Sequence, residues 1–384
     1  MTSLFAFDDA NCRTLAEAHG TPCFAYSGAT AAEQFRSLRA ALPARVRLAY
    51  AVKANPHPGL LKCFAGLGAS FDCASIGELE RVQALNLPPG RTFFAGPGKR
   101  EEELHKALAM GVRIQAEGFE DLARIDALVD RETAVNLRVH PAFDIDEGNR
   151  IIGGSGPSAF GVDEEDLPDL LQRAATLHHV RIRGLHVFAA SNQRDAAKLR
   201  TIHCAVLELA RRLKEAHGLV FEQIDLGGGL GIPYAPDQTP LDLMNLGGSL
   251  ADLLAAHPWF SGELILEPGR FLAGPCGVYL ARVVRLKESR GTRFAILEGG
   301  INHLIRPLLT GEPFPVKAVG KGAGIQAYTL AGPLCTSLDR LGEVRLPGLA
   351  SGDLLAFGTT GAYGLNEGMT HFLSHPVPPE IWVD

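Results

Sequence analysis

The sequence predicts an α/β fold followed by an all-β domain, and two patterns indicate this. Residues 30–265 alternate short apolar or β-branched runs with amphipathic stretches, whose apolar side chains recur at i, i+3 and i+4. Eight such strands alternating with helices in about 240 residues match the count and length of a (β/α)8 TIM-like barrel. After Glu267 the helical period gives way to strands separated by glycine and proline turns. A doubly wound open sheet is the alternative for the first part.

The predicted barrel strands are short runs that are rich in apolar or β-branched residues. In chain order they are RLAYAVK, ASFDCAS, RTFFAG, RIQAE, AVNLRVH, RIRGLHVF, FEQIDLGGG and GELILEPG. Helices are predicted for HPGLLKCFAGLG, IGELERVQAL, KREEELHKALAMG, EGFEDLARIDALVD, EEDLPDLLQRAAT and KLRTIHCAVLELARRLKEAHG. The later strands are GVYLARVVRLKES, TRFAILEGG, QAYTLAGPLC, GEVRLPG and GDLLAFGTTGAYG. These elements predict a barrel over residues 28–266 and a β domain formed by residues 1–27 and 267–384.

Composition excludes several classes of protein. The net charge of −6 is spread along 384 residues without a basic stripe, which argues against a nucleic-acid partner. Met1–Phe7 has no basic region, and no apolar run approaches the roughly 20 residues of a membrane span, so we expect no membrane association and a cytoplasmic location. Seven scattered cysteines without a Cys-x-x-Cys pair argue against a disulfide framework and a zinc site, and we expect no metal.

Polar residues at the ends of four predicted strands indicate where the chemistry lies, because barrel active sites form at the carboxyl ends of the strands. Lys53 in YAVKANPH follows the first strand, and His186 lies inside the sixth, which is followed by Ser191. The seventh strand ends in DLGGGLG (225–231), and the eighth ends in EPGR with Glu267. Taken singly, the lysine could be a solubilising rim residue and the glycines could relieve crowding at a turn. Together, a lysine amine, a glycine-rich phosphate cradle and a carboxylate are what pyridoxal phosphate requires.

Seven motifs, in order, resemble those of the fold-type III pyridoxal-phosphate-dependent decarboxylases, the family of the diaminopimelate and ornithine decarboxylases. The motifs are YAVKANP, FDCASIGELERV, HVFAASN, DLGGGLGIPY, EPGRFLAG, GPLCTSLD and GAYG, and they lie within residues 20–382. The resemblance implies an alanine racemase-like architecture, in which the barrel is joined to a C-terminal β-barrel or β-sandwich domain. It also implies pyridoxal 5'-phosphate as the cofactor and a homodimer whose active sites are shared between subunits.

The resemblance assigns roles to the strand-end residues. Lys53 would bind the cofactor covalently, His186 would stack on its pyridine ring, and Glu267 would pair with the pyridine nitrogen. Racemases of this fold have an arginine at the position of Glu267, so the glutamate favours decarboxylation. Asp72 would lie near the lysine. The residues that would hold the phosphate are Ser191, Gly227, Gly228, Gly229 and Tyr363.

Further residues are assigned to the substrate. Cys335, in GPLCTSLD, would come from the other subunit and protonate the carbon that loses carbon dioxide. The substrate-binding residues implied by the family motifs are Arg270, Arg306, Thr336, Asp339 and Tyr363. The two arginines resemble those that bind the distal carboxylate of diaminopimelate, a task that suits planar guanidinium groups.

Three departures from the diaminopimelate pattern predict a different substrate. Thr336 replaces the glutamate that reads the distal ammonium, Thr310 replaces a tyrosine, and Phe188 lies in a loop where the family has smaller residues. The motifs more closely resemble a branch that serves siderophore, antibiotic or polysaccharide pathways, with a carrier-linked glutamyl or a citryl conjugate as substrate. The alternatives are a true diaminopimelate decarboxylase, a racemase of this fold, and a pyridoxal-phosphate-binding regulator or carrier. A regulator would be expected to lack Lys53 or Cys335, which this chain retains.

Overall fold

The computed structural model describes residues 4–143 and 156–384, and the chain forms two compact units. The first comprises residues 35–231 and 241–269, and the second comprises the segments up to residue 34, 232–240 and 270–384. We call them the barrel unit and the β unit. The sequence-based division places residues 28–34 and 232–240 with the barrel, but their contacts group them with the β unit. It places residues 267–269 with the β domain, but their contacts group them with the barrel unit.

The barrel unit contains a closed sheet of eight parallel strands, which confirms the predicted barrel and rules out the open sheet. Each strand pairs with the next along the chain, the fourth pairs with the fifth, and the eighth pairs with the first, so the sheet has no free edge. The eight barrel strands are Val46–Ala51, Ser70–Cys73, Thr92–Phe94, Arg113–Ala116, Thr133–His140, Val180–His186, Gln223–Asp225 and Glu263–Leu266. A two-residue strand, Val162–Asp163, also pairs in parallel with the end of the fifth strand.

Helices follow the strands, and their first turns show why they begin where they do. Ser75 accepts a hydrogen bond from the backbone N–H of Glu78, and Asp195 accepts one from that of Ala197, so each satisfies a donor that the helix leaves free. The helices of this unit are Pro58–Gly66, Ile76–Gln83, Glu101–Ala109, Phe119–Leu128, Leu167–Ala174, Ala196–His217 and Leu243–Ala256; Gly28–Ala41 begins in the β unit and ends here. Short 3-10 turns lie at Val52–Ala54 and Glu164–Asp166.

The β unit is built on an eight-stranded, mostly antiparallel sheet. Its central strand, Gly277–Ser289, pairs with Cys23–Ser27, Thr292–Leu297 and Leu354–Gly358. The remaining strands are Val316–Ala318, Gln326–Ala331, Arg340–Leu346 and Glu380–Val383, and the helices are Asp9–His19, Gly269–Ala273 and Arg306–Thr310. The strand Cys23–Ser27 of the N-terminal segment pairs in this sheet with Gly277–Ser289 and Glu380–Val383.

Two global features bear on the sequence-based expectations. Among the residues that the structure describes, no helix has both the length and the apolar character needed to cross a membrane. All seven cysteines are free thiols; four are buried and Cys335 is exposed.

Candidate active site

The ends of the first two barrel strands bring Lys53 and Asp72 together. Asp72 is in register with Ala51, and the 3-10 turn that follows carries Lys53 back toward the second strand. The Lys53 Nζ atom lies 2.8 Å from Asp72 Oδ2, with 38% of the lysine side chain exposed against 1% of the aspartate. The amine also lies 5.8 Å from the centre of the Phe188 ring. The buried Asp72 carboxylate thus holds the Lys53 amine in place, and the amine stays accessible to a small molecule.

His186 ends the sixth strand, in register with Asp225 of the seventh. Its side chain is buried, and neither ring nitrogen has a hydrogen-bond partner. Burial, reinforced by the charges of Arg138 and Lys53, lowers the pKa of His186 well below its usual value. The imidazole is therefore neutral, and it presents polar atoms that a ligand has to satisfy.

Glu267 and Asp225 form a buried carboxyl pair at the ends of the eighth and seventh strands. The Gln115 side chain bridges them, donating through Nε2 to Asp225 Oδ2 at 3.2 Å and to Glu267 Oε1 at 3.3 Å. Burial and the mutual repulsion of the two groups raise the pKa of Glu267 well above its usual value. Burial likewise raises the pKa of Asp225 to about 7. The pair therefore holds a proton unless a cation lies beside it.

The glycines of DLGGGLG are packed too tightly for side chains. A Cβ atom at Gly228 would lie 2.6 Å from the carbonyl oxygen of Glu267, and one at Gly229 would lie 2.5 Å from that of Ala190. Gly229 also has a φ of +94°, which favours glycine. The Gly227 N–H is donated to Asp225 Oδ1 at 2.9 Å. Close packing therefore accounts for these glycines in the absence of any ligand.

The loop that carries Ser191 runs beside this glycine loop. Gln193 donates its N–H to the carbonyl of Gly229 at 2.8 Å, and the N–H of Gly231 donates to the carbonyl of Gln193 at 2.9 Å. Ser191 is half-buried. The structure thus brings the Ser191 segment and the predicted phosphate loop together within the barrel unit.

In the β unit, the predicted arginines form a cluster with two tyrosines. Arg270 donates through Nη1 to the hydroxyl of Tyr234 at 2.7 Å and lies 4.5 Å from the ring centre of Tyr363. The Arg306 guanidinium lies 4.8 Å from the ring centre of Tyr234 and donates to Glu312. Burial lowers the pKa of Arg270, but Tyr234 and Tyr363 raise it, and the pKa lies above its usual value overall.

The segment around Cys335 is held by Asp339 from within the β unit. The buried Asp339 carboxylate accepts the backbone N–H of Ile301 at 2.8 Å and that of Leu334 at 2.7 Å. Burial raises its pKa. Thr336 accepts the N–H of Leu338 through its hydroxyl at 3.2 Å. Asp339, predicted to bind substrate, thus has both oxygens engaged by the protein and fixes the loop that exposes Cys335.

Sequence reasoning missed three members of these clusters. Asp225 lies in a motif that was recognised for its glycines, and Gln115 is a single polar residue inside a short strand. Glu312 has no signal beyond its place after a helix. The ligand atoms of His186, Asp225 and Glu267 also lie within 4.8 Å of one another, a spacing that could hold a metal ion. A cationic group of any kind at this place would relieve the repulsion between the two carboxyl groups.

Comparisons with known proteins identify the family. The model of the pyridoxal-dependent decarboxylases, pyridoxal binding domain, matches residues 29–274. The chain is 32% identical over 392 residues to L-glutamyl-[BtrI acyl-carrier protein] decarboxylase of Niallia circulans, covering 97% of this chain and 91% of that protein. It is 32% identical over 378 residues to the diaminopimelate decarboxylase of Zymomonas mobilis, covering 96% and 89%. The structure of diaminopimelate decarboxylase from Helicobacter pylori complexed with L-lysine matches with a TM-score of 0.89 and 25% identity, covering 97% and 94%.

A closed barrel with a lysine, a histidine and an acid pair at its strand ends defines a pyridoxal-phosphate enzyme of fold type III. The chain belongs to the pyridoxal-dependent decarboxylase family, and it is a carboxy-lyase that uses pyridoxal phosphate to act on an amino acid. The site fits this cofactor. The unpartnered nitrogens of His186 face a buried site, and the acid pair needs a cationic partner, which a protonated pyridine nitrogen provides.

Proposed function

We propose that Lys53, His186 and Glu267 are the cofactor-binding and catalytic residues of the barrel unit. Bound pyridoxal phosphate supplies the electron sink for the electron pair left when the α-carboxylate departs as carbon dioxide. Lys53 provides the amine that binds the cofactor covalently, and Asp72, 2.8 Å away, orients it. Glu267 would hold a proton at the ring nitrogen of the bound cofactor, and His186, whose lowered pKa keeps it neutral, would stack on the ring.

Loop residues are proposed to bind the phosphate group of the cofactor and to donate the proton that replaces the departing carboxylate. Ser191, Gly228, Gly229 and Tyr363 are proposed to hold the phosphate, with Gly227 in support because its own N–H is donated to Asp225. Cys335, which is exposed, is proposed to serve as the proton donor for the active site of the other subunit of a homodimer. Asp339 positions the cysteine loop, and its two backbone contacts support this role.

For the substrate, we propose an amino acid whose side-chain carboxyl is joined to another group, such as a glutamyl group on a carrier protein, rather than diaminopimelate. The observation that carries this proposal is the engagement of the two threonines. The Thr310 hydroxyl donates to the carbonyl of Arg306 at 3.0 Å and accepts from the N–H of Glu312 at 3.1 Å. The Thr336 hydroxyl accepts from the N–H of Leu338. Neither side chain carries the charge needed to recognise a distal ammonium group.

The chemistry of the reaction limits how such a conjugate can be joined. A pyridoxal-phosphate decarboxylase acts on a free α-amino group and releases the α-carboxylate, so both must remain unmodified. A glutamyl substrate can therefore be attached only through its side-chain carboxyl, which becomes a neutral thioester or amide. A similar protein from Niallia circulans is named for a glutamyl group on an acyl-carrier protein, and this similarity supports the proposal.

A substrate comparison tests the proposal. Release of carbon dioxide is measured with meso-diaminopimelate, L-lysine, L-ornithine, L-glutamate and a glutamyl thioester joined through the side-chain carboxyl. We expect kcat/KM for the thioester to exceed that for diaminopimelate by about 100-fold. The distal ammonium of diaminopimelate would lose its hydration on binding without gaining a charged partner, and such an unpaired group discriminates strongly between substrates. A preference for diaminopimelate would support the alternative of a true diaminopimelate decarboxylase. Interconversion of substrate enantiomers without release of carbon dioxide would contradict the decarboxylase assignment itself.

A further inference from the structure

Arg306 and Glu312 form an ion pair that the local backbone builds. The helix Arg306–Thr310 ends at Gly311, whose φ of 73° turns the chain back over the helix. The Glu312 N–H then donates to the hydroxyl of Thr310, which holds the glutamate beside the first residue of the helix. Arg306 Nη2 donates to Glu312 Oε2 at 2.9 Å, with 6% of the arginine side chain exposed against 45% of the glutamate. The buried arginine is therefore paired with a counter-charge that its own segment supplies from a partly exposed position.

This pair supplies the Arg306 guanidinium with a negative counter-charge and leaves one buried donor unused. A guanidinium carries five N–H donors. Arg306 donates from Nη2 to Glu312, whereas the buried Nε has no hydrogen-bond partner. The guanidinium lies over the ring of Tyr234. A ligand that hydrogen-bonds to Nε would therefore approach a guanidinium whose charge is already matched by Glu312.

A single buried N–H donor suits a neutral carbonyl oxygen. A carbonyl of a thioester, ester or amide accepts one hydrogen bond from Nε and brings no charge into contact with Glu312. A free carboxylate in the same place would lie beside the negative charge of Glu312 and would be repelled by it. The ion pair thus discriminates between two forms of the same side-chain carboxyl group, the free acid and its acyl derivative.

We propose that Glu312 determines substrate specificity, because its charge matches that of Arg306 and the unused Nε donor is left for a neutral acyl carbonyl. This inference rests on the proposed function, in which the arginine cluster of the β unit binds the distal end of the substrate. It assigns that distal end to the class of thioesters, esters and amides. Removing the charge of Glu312 releases Arg306 to bind a free carboxylate.

The experiment compares two substrates of equal length that differ in distal charge. The holoenzyme is assayed with L-glutamate and with its side-chain methyl ester, and kcat and KM are determined separately for each. For Glu312→Gln we expect the ratio of kcat/KM for the ester to that for glutamate to fall by about 10-fold or more, mainly through a lower KM for glutamate. Glu312→Asp keeps the charge, so its ratio should stay closer to that of the wild type. Glu288→Gln removes an equal charge from an exposed position of the same unit and should leave the ratio unchanged.

A binding measurement provides a second readout. Glutarate and its monomethyl ester lack an amino group, so their inhibition constants report recognition of the distal end without turnover. Glu312→Gln should tighten glutarate about 10-fold relative to the monomethyl ester. The inference is overturned if Glu312→Gln leaves both ratios unchanged, or if Glu288→Gln changes them equally. The proposed function fails separately, when the wild-type enzyme prefers glutamate or diaminopimelate to the acyl-linked substrate.

Discussion

The acid pair at the strand ends makes the stability of the cofactor-free protein depend on pH, and Asp225→Asn tests this. The folded protein holds the Asp225 proton up to a pKa of about 7, whereas the ordinary value is 3.8. Between these pH values the folded state binds more protons than the unfolded chain does, so the free energy of unfolding decreases as the pH rises. Asparagine carries no charge at any pH, and the variant should escape this loss.

The magnitude follows from the two pKa values. At 1.36 kcal/mol per unit, the difference between the two pKa values lowers the stability of the wild type by about 2 kcal/mol at pH 5, where only the unfolded chain ionises, and by about 4 kcal/mol at pH 8. The side chain is fully buried, so solvent provides little screening. The stability of Asp225→Asn relative to the wild type should therefore increase by about 2 to 3 kcal/mol between pH 5 and pH 8. Gln115 can accommodate the amide, because its Oε1 has no partner and can accept from the new N–H group after the Gln115 amide rotates.

Urea unfolding of the cofactor-free protein at the two pH values measures this difference. Asp163→Asn serves as the control, because Asp163 is an exposed residue of the same unit and its neutralisation should have nearly the same effect at both pH values. With pyridoxal phosphate restored, the pH dependence of the difference should shrink, since a cationic ring nitrogen favours the charged carboxylates. A difference between Asp225→Asn and the wild type that is the same at pH 5 and pH 8 would refute the argument from the buried pair.

Three further predictions concern the proposed catalytic residues. Lys53→Ala should abolish covalent attachment of the cofactor and lower turnover by several orders of magnitude, measured by borohydride trapping and carbon dioxide release. Near-wild-type activity with attachment retained would rule out its role. Glu267→Gln should keep the attachment but slow carbon dioxide release in single turnovers, because a neutral amide stabilises a pyridinium less well; unchanged kinetics would contradict this. Mixing Lys53→Ala with Cys335→Ala subunits should restore about a quarter of wild-type activity, because half of the dimers are mixed and each has one intact site. If mass analysis confirms exchange and the mixture stays inactive, the sites are not shared.

The barrel could be predicted from sequence because its signals are local. The alternation of apolar runs with amphipathic stretches depends only on neighbouring residues, and the eight strands all appear in the structure. Lys53, His186 and Glu267 could be found because each lies at or just after a strand end, where barrel chemistry gathers. Asp339 was recognised as part of a motif, but its contacts with Ile301 and Leu334 depend on tertiary structure. Its positioning role therefore had no counterpart in the sequence pattern.

The residues that escaped prediction are those whose meaning depends on strand register. Gln115 is in register with Asn136, Asn136 with Gly184, and Gly184 with Gln223, so these residues form one layer around the barrel interior. Gly184 belongs to this layer because a Cβ atom there would lie 2.0 Å from Asn136 Oδ1. From the sequence, a polar residue in a short strand can be assigned only to one face of the sheet. The residue beside it on the neighbouring strand depends on the register of the pairing, which the sequence does not show.

Register also explains how the acid pair comes to lie beside His186, where the cofactor is proposed to bind. Asp225 is in register with His186 on one side and with Ile265 on the other, and Glu267 follows Ile265 by two residues, on the same face. Two carboxyl groups and a neutral imidazole are thereby fixed at one depth, where burial raises the pKa of both acids. Ionisation of Asp225 and Glu267 is unfavourable in such a site, and a cationic ring nitrogen beside them would make it more favourable. Cofactor binding should therefore stabilise the barrel unit by more than its contacts alone, and Asp225→Asn should bind the cofactor more weakly while making the cofactor-free protein more stable at pH 8.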